Sequence, residues 1–304
     1  MGLISGSAAV TRFTLTPAPE ELDFEPVAFR EIAPGSEVRE SVGVVPIEPE
    51  EPFQAGERRW FFRLRIDKVQ PDPTAVEERV KEMVKAEIDQ GAPFVGPKKR
   101  RKLKEMAEEE LIFEARPRSK IIEACIDGNI LWVGSTSKNY LGRVTEIMRR
   151  LGLVAEFKTP WIDRGDPDIE SPIYETYEPG EAVAGARFLR ALIGDRELMV
   201  DPASGYAKLQ TEDARITLSG SVLKDLLRYI ERGAEVLSVK LISGEPEANF
   251  RLDGPSFRVS GLRLITGRHD DWQTRLDERL AKLIEVFELL ERKYDEHAPR
   301  LFHV

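Results

Sequence analysis

Apolar and polar residues alternate along several segments of the chain, a period of two that predicts half-buried β-strands. VTRFTL at 10–15 and RRWFFRLRIDKVQ at 58–70 follow this pattern. In the second segment, Trp60 and Phe62 share a face that we assign to the core, and the arginines alternate with them. IIEACI and ILWVGS predict a hairpin around a Gly-containing turn. GYAKLQTEDARIT predicts a second hairpin, and three more strands follow before residue 266.

Other segments carry apolar residues three and four positions apart, which predicts amphipathic helices. Thr74 and Glu77 have the spacing of a capping box at the start of the first helix. A second helix is predicted from about Lys98 to Ile112, behind Pro97. Further helices are predicted at 139–151, at 186–193, after a Ser219 or Ser221 cap, and over the final 273–294.

This order of elements predicts an α+β protein with mixed or antiparallel sheets. Residues 1–72 and 183–304 form a central sheet-containing region in this interpretation. Residues 73–157 form an inserted helix–helix–hairpin–helix module, and the Pro-rich and acidic segment 158–182 connects it to the rest. A long helix closes the chain.

Composition narrows the function classes. The chain has 304 residues, a formal net charge of -9 and one cysteine, Cys125, which excludes an intrachain disulfide. With three histidines, there is little material for a His-based metal site or triad, so no metal, cofactor or catalytic residue is predicted. No apolar run approaches the ~18 residues of a membrane span, and no leader is recognised at the start. These features favour the cytoplasm and no membrane partner.

One short stretch opposes the acidic balance of the chain. In GPKKRRKLKEMAEEEL, at residues 96–111, six cations lie within seven positions. The ordinary interpretation is a solvated helix start whose cations pair with glutamates four residues later. The alternative is a local surface for a polyanion, since the field at a contact is set by charges within about 10 Å.

The strings along the chain also resemble the RdgC family of recombination-associated bacterial proteins. The resemblance runs through VTRFTL, RLRIDKVQPDPTAVEERVKEMVKAEI and KKRRKLKEMAEEELIFEARPRSKIIEACIDGNILWVGSTSK. It continues in GYAKLQTEDARITLSGSVLKDLLRYIERGAEVLSVKLIS, and so covers nearly the whole chain. Each string alone is weakly specific, whereas their order and spacing together are more informative.

The resemblance implies a non-catalytic protein that binds double-stranded DNA with little sequence preference and modulates homologous recombination. It implies a ring-shaped homodimer with a basic lining, localisation to the nucleoid, and an interaction with the strand-exchange recombinase. Two departures stand out. LIFEARPR at 111–118 and SVGVVP at 41–46 lack aromatic residues that the family carries. In the first string the missing aromatic belongs to a ring-closing contact, so a different closure is expected here.

Phosphate recognition requires lysine and arginine side chains held on one surface. The predicted DNA contacts are Lys98, Lys99, Arg100, Arg101, Lys102, Lys104, Arg116, Arg118, Lys120, Lys208 and Arg215. Arg116, Arg118 and Lys120 alternate in an extended segment and would therefore share a face. Other basic positions, such as Arg59, Arg63, Arg65, Lys224, Arg228, Arg258 and Arg263, are interpreted as ordinary surface residues.

Two alternatives remain open at this stage. The module could dock another protein and bind no DNA. A metal-dependent exonuclease would instead need acids that converge on Mg²⁺ from separate elements. WIDRGDPDIE supplies Asp163, Asp166, Asp168 and Glu170, and RHDDW supplies His269, Asp270 and Asp271.

Overall fold

The computed structural model describes residues 2–33, 36–113, 115–167 and 180–302, and the chain divides into two compact units. The first unit comprises residues 1–26, 46–62 and 122–304, and the second comprises 27–45 and 63–121. The α+β class, the large antiparallel sheet and the C-terminal helix are confirmed.

The described residues form thirteen strands, numbered along the chain. They are β1 Ala8–Thr16, β2 Glu40–Val45, β3 Gln54–Gly56, β4 Arg59–Val69, β5 Pro117–Asp127, β6 Ile130–Val133, β7 Val154–Phe157, β8 Leu198–Val200, β9 Gly205–Gln210, β10 Arg215–Gly220, β11 Glu235–Gly244, β12 Glu247–Asp253 and β13 Arg258–Leu262. In the first unit, neighbouring strands follow the order β10-β9-β11-β12-β13-β1-β6-β5. Strands β4 and β5 have residues in both units.

Seven α-helices accompany these strands. They are α1 Pro73–Asp89, α2 Pro97–Leu111, α3 Lys138–Arg150, α4 Pro160–Arg164, α5 Val183–Leu192, α6 Leu223–Glu231 and α7 Trp272–Leu301. Helix α7 buries a stripe of residues at helical spacing against the first unit's core, including Leu276, Leu283 and Phe287. The predicted amphipathic pattern of this helix is thereby confirmed.

Strand residues alternate between the two faces of a sheet, and in the first unit apolar residues occupy one of these faces. On β9, Ala207 and Leu209 are buried, and Phe250 and Leu252 of β12 belong to the same core. The intervening residues of these strands lie on the opposite, polar face, since opposed residues of paired strands point the same way. This polar face contains two of the predicted DNA contacts, Lys208 and Arg215.

The second unit contains the α1–α2 helix pair and the antiparallel pair of β2 with residues 63–68 of β4. Leu103 and Ala107 are the buried residues of α2, which confirms its predicted apolar stripe in part, because Met106 is exposed. Trp60 and Phe62 of the first unit are buried as predicted. Phe61 is also buried, beside Trp272, so the face predicted to be basic is partly core.

The two units do not coincide with the predicted ranges. The hairpin strand β6 and helix α3 were assigned to the module 73–157, whereas they belong to the first unit. The reason is long-range pairing: β6 is antiparallel to β1 through Thr11–Val133 and Thr14–Ile130. Within the predicted connection 158–182, residues 160–164 are helical and bury Trp161, and residues 168–179 lie outside the described residues.

The predicted helix caps were wrong at two starts. Helix α1 begins one residue before Thr74, and Asp72 is its N-cap, accepting hydrogen bonds from the backbone N–H of Thr74 at 2.8 Å and Ala75 at 3.3 Å. Pro73 at the first helical position leaves only Asp72 with the extended backbone that a cap requires. Helix α6 starts after Val222 with no side-chain cap, since Ser219 lies in β10.

Candidate nucleic-acid interface

The six predicted cations of α2 occupy its first half and are all exposed. Three of them have acidic partners. Lys99 pairs with Glu87 of α1, Arg101 with Glu105 at 3.3 Å, and Lys104 with Glu108 at 3.6 Å. The last two pairs are the i, i+4 contacts expected of a solvated helix.

The other three cations of α2 are Lys98, Arg100 and Lys102. They form no ion pair with the residues that the structure describes. These three side chains can therefore meet an external anion without first breaking a salt bridge.

The charges of α2 are reversed with respect to its macrodipole. The first turn has no acidic residue, the last turn has no basic residue, and the N-cap Gly96 supplies no side-chain hydrogen bond. A helix N-terminus carries a partial positive charge, so each cation there costs up to about 0.3–1 kcal/mol. Helix stability therefore does not explain why the cations cluster at this end.

Arg116, Arg118 and Lys120 are exposed, and so are the intervening Pro117 and Ser119, so exposure does not test whether the three cations share a face. Arg118 and Lys120 lie in β5, and Arg116 directly precedes it. Arg118 lies 3.3 Å from the carboxylate of the helix cap Asp72, an exposed pair of small energetic weight. Arg116 lines a recess with Arg39 and Phe113.

Lys208 and Arg215 lie on the polar face of the sheet in the first unit. Lys208 is paired in register with Thr217 of β10 and with Ser238 of β11. Ser238 is opposite Asp253 of β12, which is opposite Arg258 of β13. Because opposed residues share a face, the sheet brings together side chains that are far apart in sequence.

Two further arginines on this face were not predicted as contacts. Arg251 lies over the ring of Tyr206, with 3.6 Å between its guanidinium carbon and the ring centroid. Arg258 was interpreted as a surface residue, which is wrong, because it is 6% exposed. The alternation in ANFRLDG and SFRVSG indicates on which face of its strand each arginine lies. It does not indicate that the two strands pair and bring the arginines together.

Lys240 also lies on this face, but its charge is balanced within the fold. Its Nζ is 2.9 Å from Oδ2 of Asp201, a side chain that is 6% exposed. The backbone N–H of Ser204 is the main cause of the lowered pKa of Asp201, and Lys240 lowers it further. Lys240 is therefore a structural cation, unlike Lys208, for which no described residue provides an ion pair.

Substituting Asp201→Asn is expected to make the free energy of unfolding less dependent on pH in the acidic range. A carboxyl with a lowered pKa in the fold stabilises the protein above its unfolded pKa, about 3.9, and this contribution is lost as the pH falls. The variant should lose about 2 kcal/mol at pH 7 and progressively less as the pH falls below about 4. Urea unfolding across pH measures both. Asp213→Asn, in the exposed β9–β10 turn, is the control, and an equal loss at every pH would contradict the assignment.

The arginine row of β4 is compensated by acids. Arg59 donates from Nε to Asp127 at 2.9 Å, and its other nitrogen contacts Asp277. Arg65 holds Asp67 in a two-point pair at 2.9 and 2.7 Å. Lys224 and Arg228 are exposed on α6. These positions therefore stay in the class of structural or surface residues.

Three acids of the nuclease alternative, Asp163, Asp166 and Asp271, have local partners. Asp166 accepts a hydrogen bond from the Tyr294 hydroxyl at 2.9 Å, and Asp163 contacts Lys158. Asp271 caps α7, and His269 contacts Glu278 at 2.8 Å. Asp168 and Glu170 lie outside the described residues.

Within residues 2–33, 36–113, 115–167 and 180–302, no group of three or more His, Cys, Asp or Glu side chains is arranged to hold a metal ion. Cys125 is fully buried as predicted, and burial raises the pKa of its thiol. Over the same part of the chain, every helix is too short or too polar to cross a membrane.

No protein-family model matches the sequence, and no curated protein matches it.

Proposed function

We propose that this chain binds double-stranded DNA without sequence preference, as a ring-like homodimer, and modulates homologous recombination without catalysis. The observation that carries the proposal is the placement of charge on α2. Its cations are exposed at the helix end where they oppose the macrodipole, and three of them have no acidic partner among the described residues. A phosphate backbone requires cations of this kind and no further side-chain chemistry.

The resemblance to the RdgC family supports the homodimer, the nucleoid localisation and the recombinase as a partner. A net charge of -9 fits this proposal if DNA meets only locally basic surfaces, because exposed charges beyond about 10 Å are largely screened. The second basic surface is the polar sheet face with Lys208 and Arg215 in the first unit.

The proposal predicts that Lys98→Ala/Arg100→Ala/Lys102→Ala weakens duplex binding about 30-fold. The fall of log affinity with log salt should become shallower by about 2–3, because roughly one counterion is released per phosphate contact. Fluorescence anisotropy of a labelled duplex from about 50 to about 200 mM salt measures both quantities. Alanine favours helix, so α2 should remain folded.

The matched control is Lys224→Ala/Arg228→Ala/Arg232→Ala, which removes the same charge from exposed positions on and just after α6. The control should bind like the wild type. Equal slopes for all three proteins would place DNA elsewhere. Size-exclusion chromatography with light scattering should give about twice the chain mass of 34.4 kDa, and a monomer would overturn the homodimer.

The protein-interaction alternative also has an observation in its favour. In the second unit, a groove of 940 Å³ is lined by apolar residues such as Val76, Val80 and Ile112, with Arg100 and Lys104 at its side. A wild-type protein that binds no duplex even at low salt would favour this alternative. Loss of labelled DNA only with Mg²⁺ would instead indicate the exonuclease.

A further inference from the structure

A concave cavity of 350 Å³ lies on the polar sheet face of the first unit. Its volume is at the lower end of the range for small-ligand pockets, about 300–1,000 Å³. The lining comes from β9, β10, β11, β12 and β13, together with the start of α3. Rigid strands therefore hold most of the side chains that surround it.

The cavity is strongly cationic although the chain is acidic. Its lining contains five basic side chains, namely Lys138, Lys208, Arg215, Arg251 and Arg258. It contains two acids, Glu181 and Asp253, so positive charge exceeds negative charge by three. Glu181 is 3.3 Å from Lys138, and Asp253 is fixed by hydrogen bonds from Ser256, so both acids already have partners.

Two of the cations, Arg251 and Lys208, have no acidic partner among the described residues. The Arg251 guanidinium stacks on the Tyr206 ring, and this contact restricts the orientation of its N–H donors. No described acid forms an ion pair with Arg251. The Lys208 side chain is half-buried, and it likewise lacks an acidic partner in the described part of the chain. An ordered guanidinium loses less entropy when it forms a two-point contact with phosphate.

A buried hydroxyl in the cavity wall lacks a hydrogen-bond partner among the described residues. Ser238 is 3% exposed, and its Oγ forms no hydrogen bond with the described residues. An unsatisfied buried polar group is unfavourable, and an oxygen-rich ligand would provide an acceptor. Ser238 is opposite Asp253 on one side and beside Lys208 on the other, and thus lies in the middle of the lining.

We infer that this cavity binds a phosphate monoester, such as the phosphate of a mononucleotide. A monoester carries about -1.5 to -2 charges and three terminal oxygens near pH 7, which suits an excess of three positive charges. A backbone diester carries one charge and two free oxygens. A small molecule also fills a concave site of this volume, whereas a duplex meets an open surface. This inference does not depend on duplex binding by α2.

The test is isothermal titration of the full chain with thymidine 5′-monophosphate, thymidine, and the diester dinucleotide of thymidine. The monophosphate should bind, thymidine should show no heat of binding, and the diester should bind at least about tenfold more weakly. Inorganic pyrophosphate should compete with the monophosphate. Equal binding of thymidine and its monophosphate, or no binding of the monophosphate, overturns the inference.

Variants locate the site. Lys208→Gln/Arg251→Gln should weaken the monophosphate at least about tenfold, through loss of two charge-assisted contacts. Both side chains have exposed parts, so the variant is expected to fold, and its thermal midpoint verifies this. Lys224→Gln/Arg228→Gln on α6 is the matched control and should bind normally. Equal affinity of the diester and the monoester would show that the cavity contacts a DNA backbone, and would refute the inference while leaving the proposed function intact.

Discussion

Replacing Lys98 and Arg100 with glutamate is expected to lower duplex affinity about 100-fold while making α2 more stable. The double variant changes the net charge of the proposed phosphate surface by four units and adds repulsion to the lost contacts. Each unit of charge removed or reversed is worth roughly 0.7 kcal/mol, so four units amount to about 2.8 kcal/mol, and 1.4 kcal/mol is a factor of ten. Anisotropy at about 50 mM salt measures the loss.

The same two substitutions that weaken DNA binding are expected to stabilise helix α2. Glutamates in the first turn of α2 would interact favourably with the macrodipole. Glu at 98 would face Lys102, and Glu at 100 would face Lys104, each in the favourable i, i+4 order. Together these terms amount to roughly 1 kcal/mol, so the thermal midpoint should rise or stay constant.

This pair of measurements separates the two interpretations of the basic run. If the cations only solvate a helix start, the reversal raises stability and affinity for duplex stays that of the control. The control is Lys224→Glu/Arg228→Glu, which changes the net charge by the same amount at exposed positions of α6. A 100-fold loss in the first variant alone identifies α2 as a DNA contact.

Local patterns were sufficient for most elements of this fold. The spacing of Leu103 and Ala107 predicts the buried stripe of α2, and Asp127-Gly128-Asn129 predicts the β5–β6 turn. Both signals come from residues within a few positions of each other. The N-cap of α1 was misassigned because two residues, Asp72 and Thr74, are compatible with capping and only the backbone at Asp72 decides.

The candidate site could be predicted only where it is local. The α2 cations are consecutive in sequence, so the run is visible directly. The sheet face joins Lys208, Arg251 and Arg258 through strand pairs, and register is not encoded by any one strand. The burial of Arg258 has the same origin, since it depends on neighbours supplied by other strands.

An ion pair between the buried Arg12 of β1 and the partly exposed Glu291 of α7 gives the largest expected effect on stability. The side chain of Arg12 is 5% exposed, and its Nη2 donates to Glu291 at 2.6 Å. Its guanidinium carbon lies 3.9 Å from the ring centroid of Phe287 and 5.5 Å from that of Trp132. Burial lowers the pKa of Arg12, and Glu291 opposes this effect. Glu291 is therefore the main counter-charge of Arg12, and Asp163 adds a smaller contribution.

Glu291→Ala is expected to destabilise the protein by about 3 kcal/mol, because it leaves a buried guanidinium without its counter-charge. The double variant Arg12→Met/Glu291→Ala should recover most of this loss, since methionine packs well on the Phe287 and Trp132 rings. Urea unfolding of the wild type, both single variants and the double variant gives the coupling energy directly.

The double-mutant cycle distinguishes a desolvated pair from a solvated one. Glu146→Ala removes an exposed partner of Arg149 on α3 and should leave the free energy of unfolding nearly unchanged. If Glu291→Ala behaved like this control, Arg12 would have to be reached by water in solution, and the pair would not anchor α7 to β1. If Glu291→Ala causes a large loss and the double variant reverses it, the loss comes from leaving the buried Arg12 charge unpaired. The net stabilisation by the ion pair itself is then small.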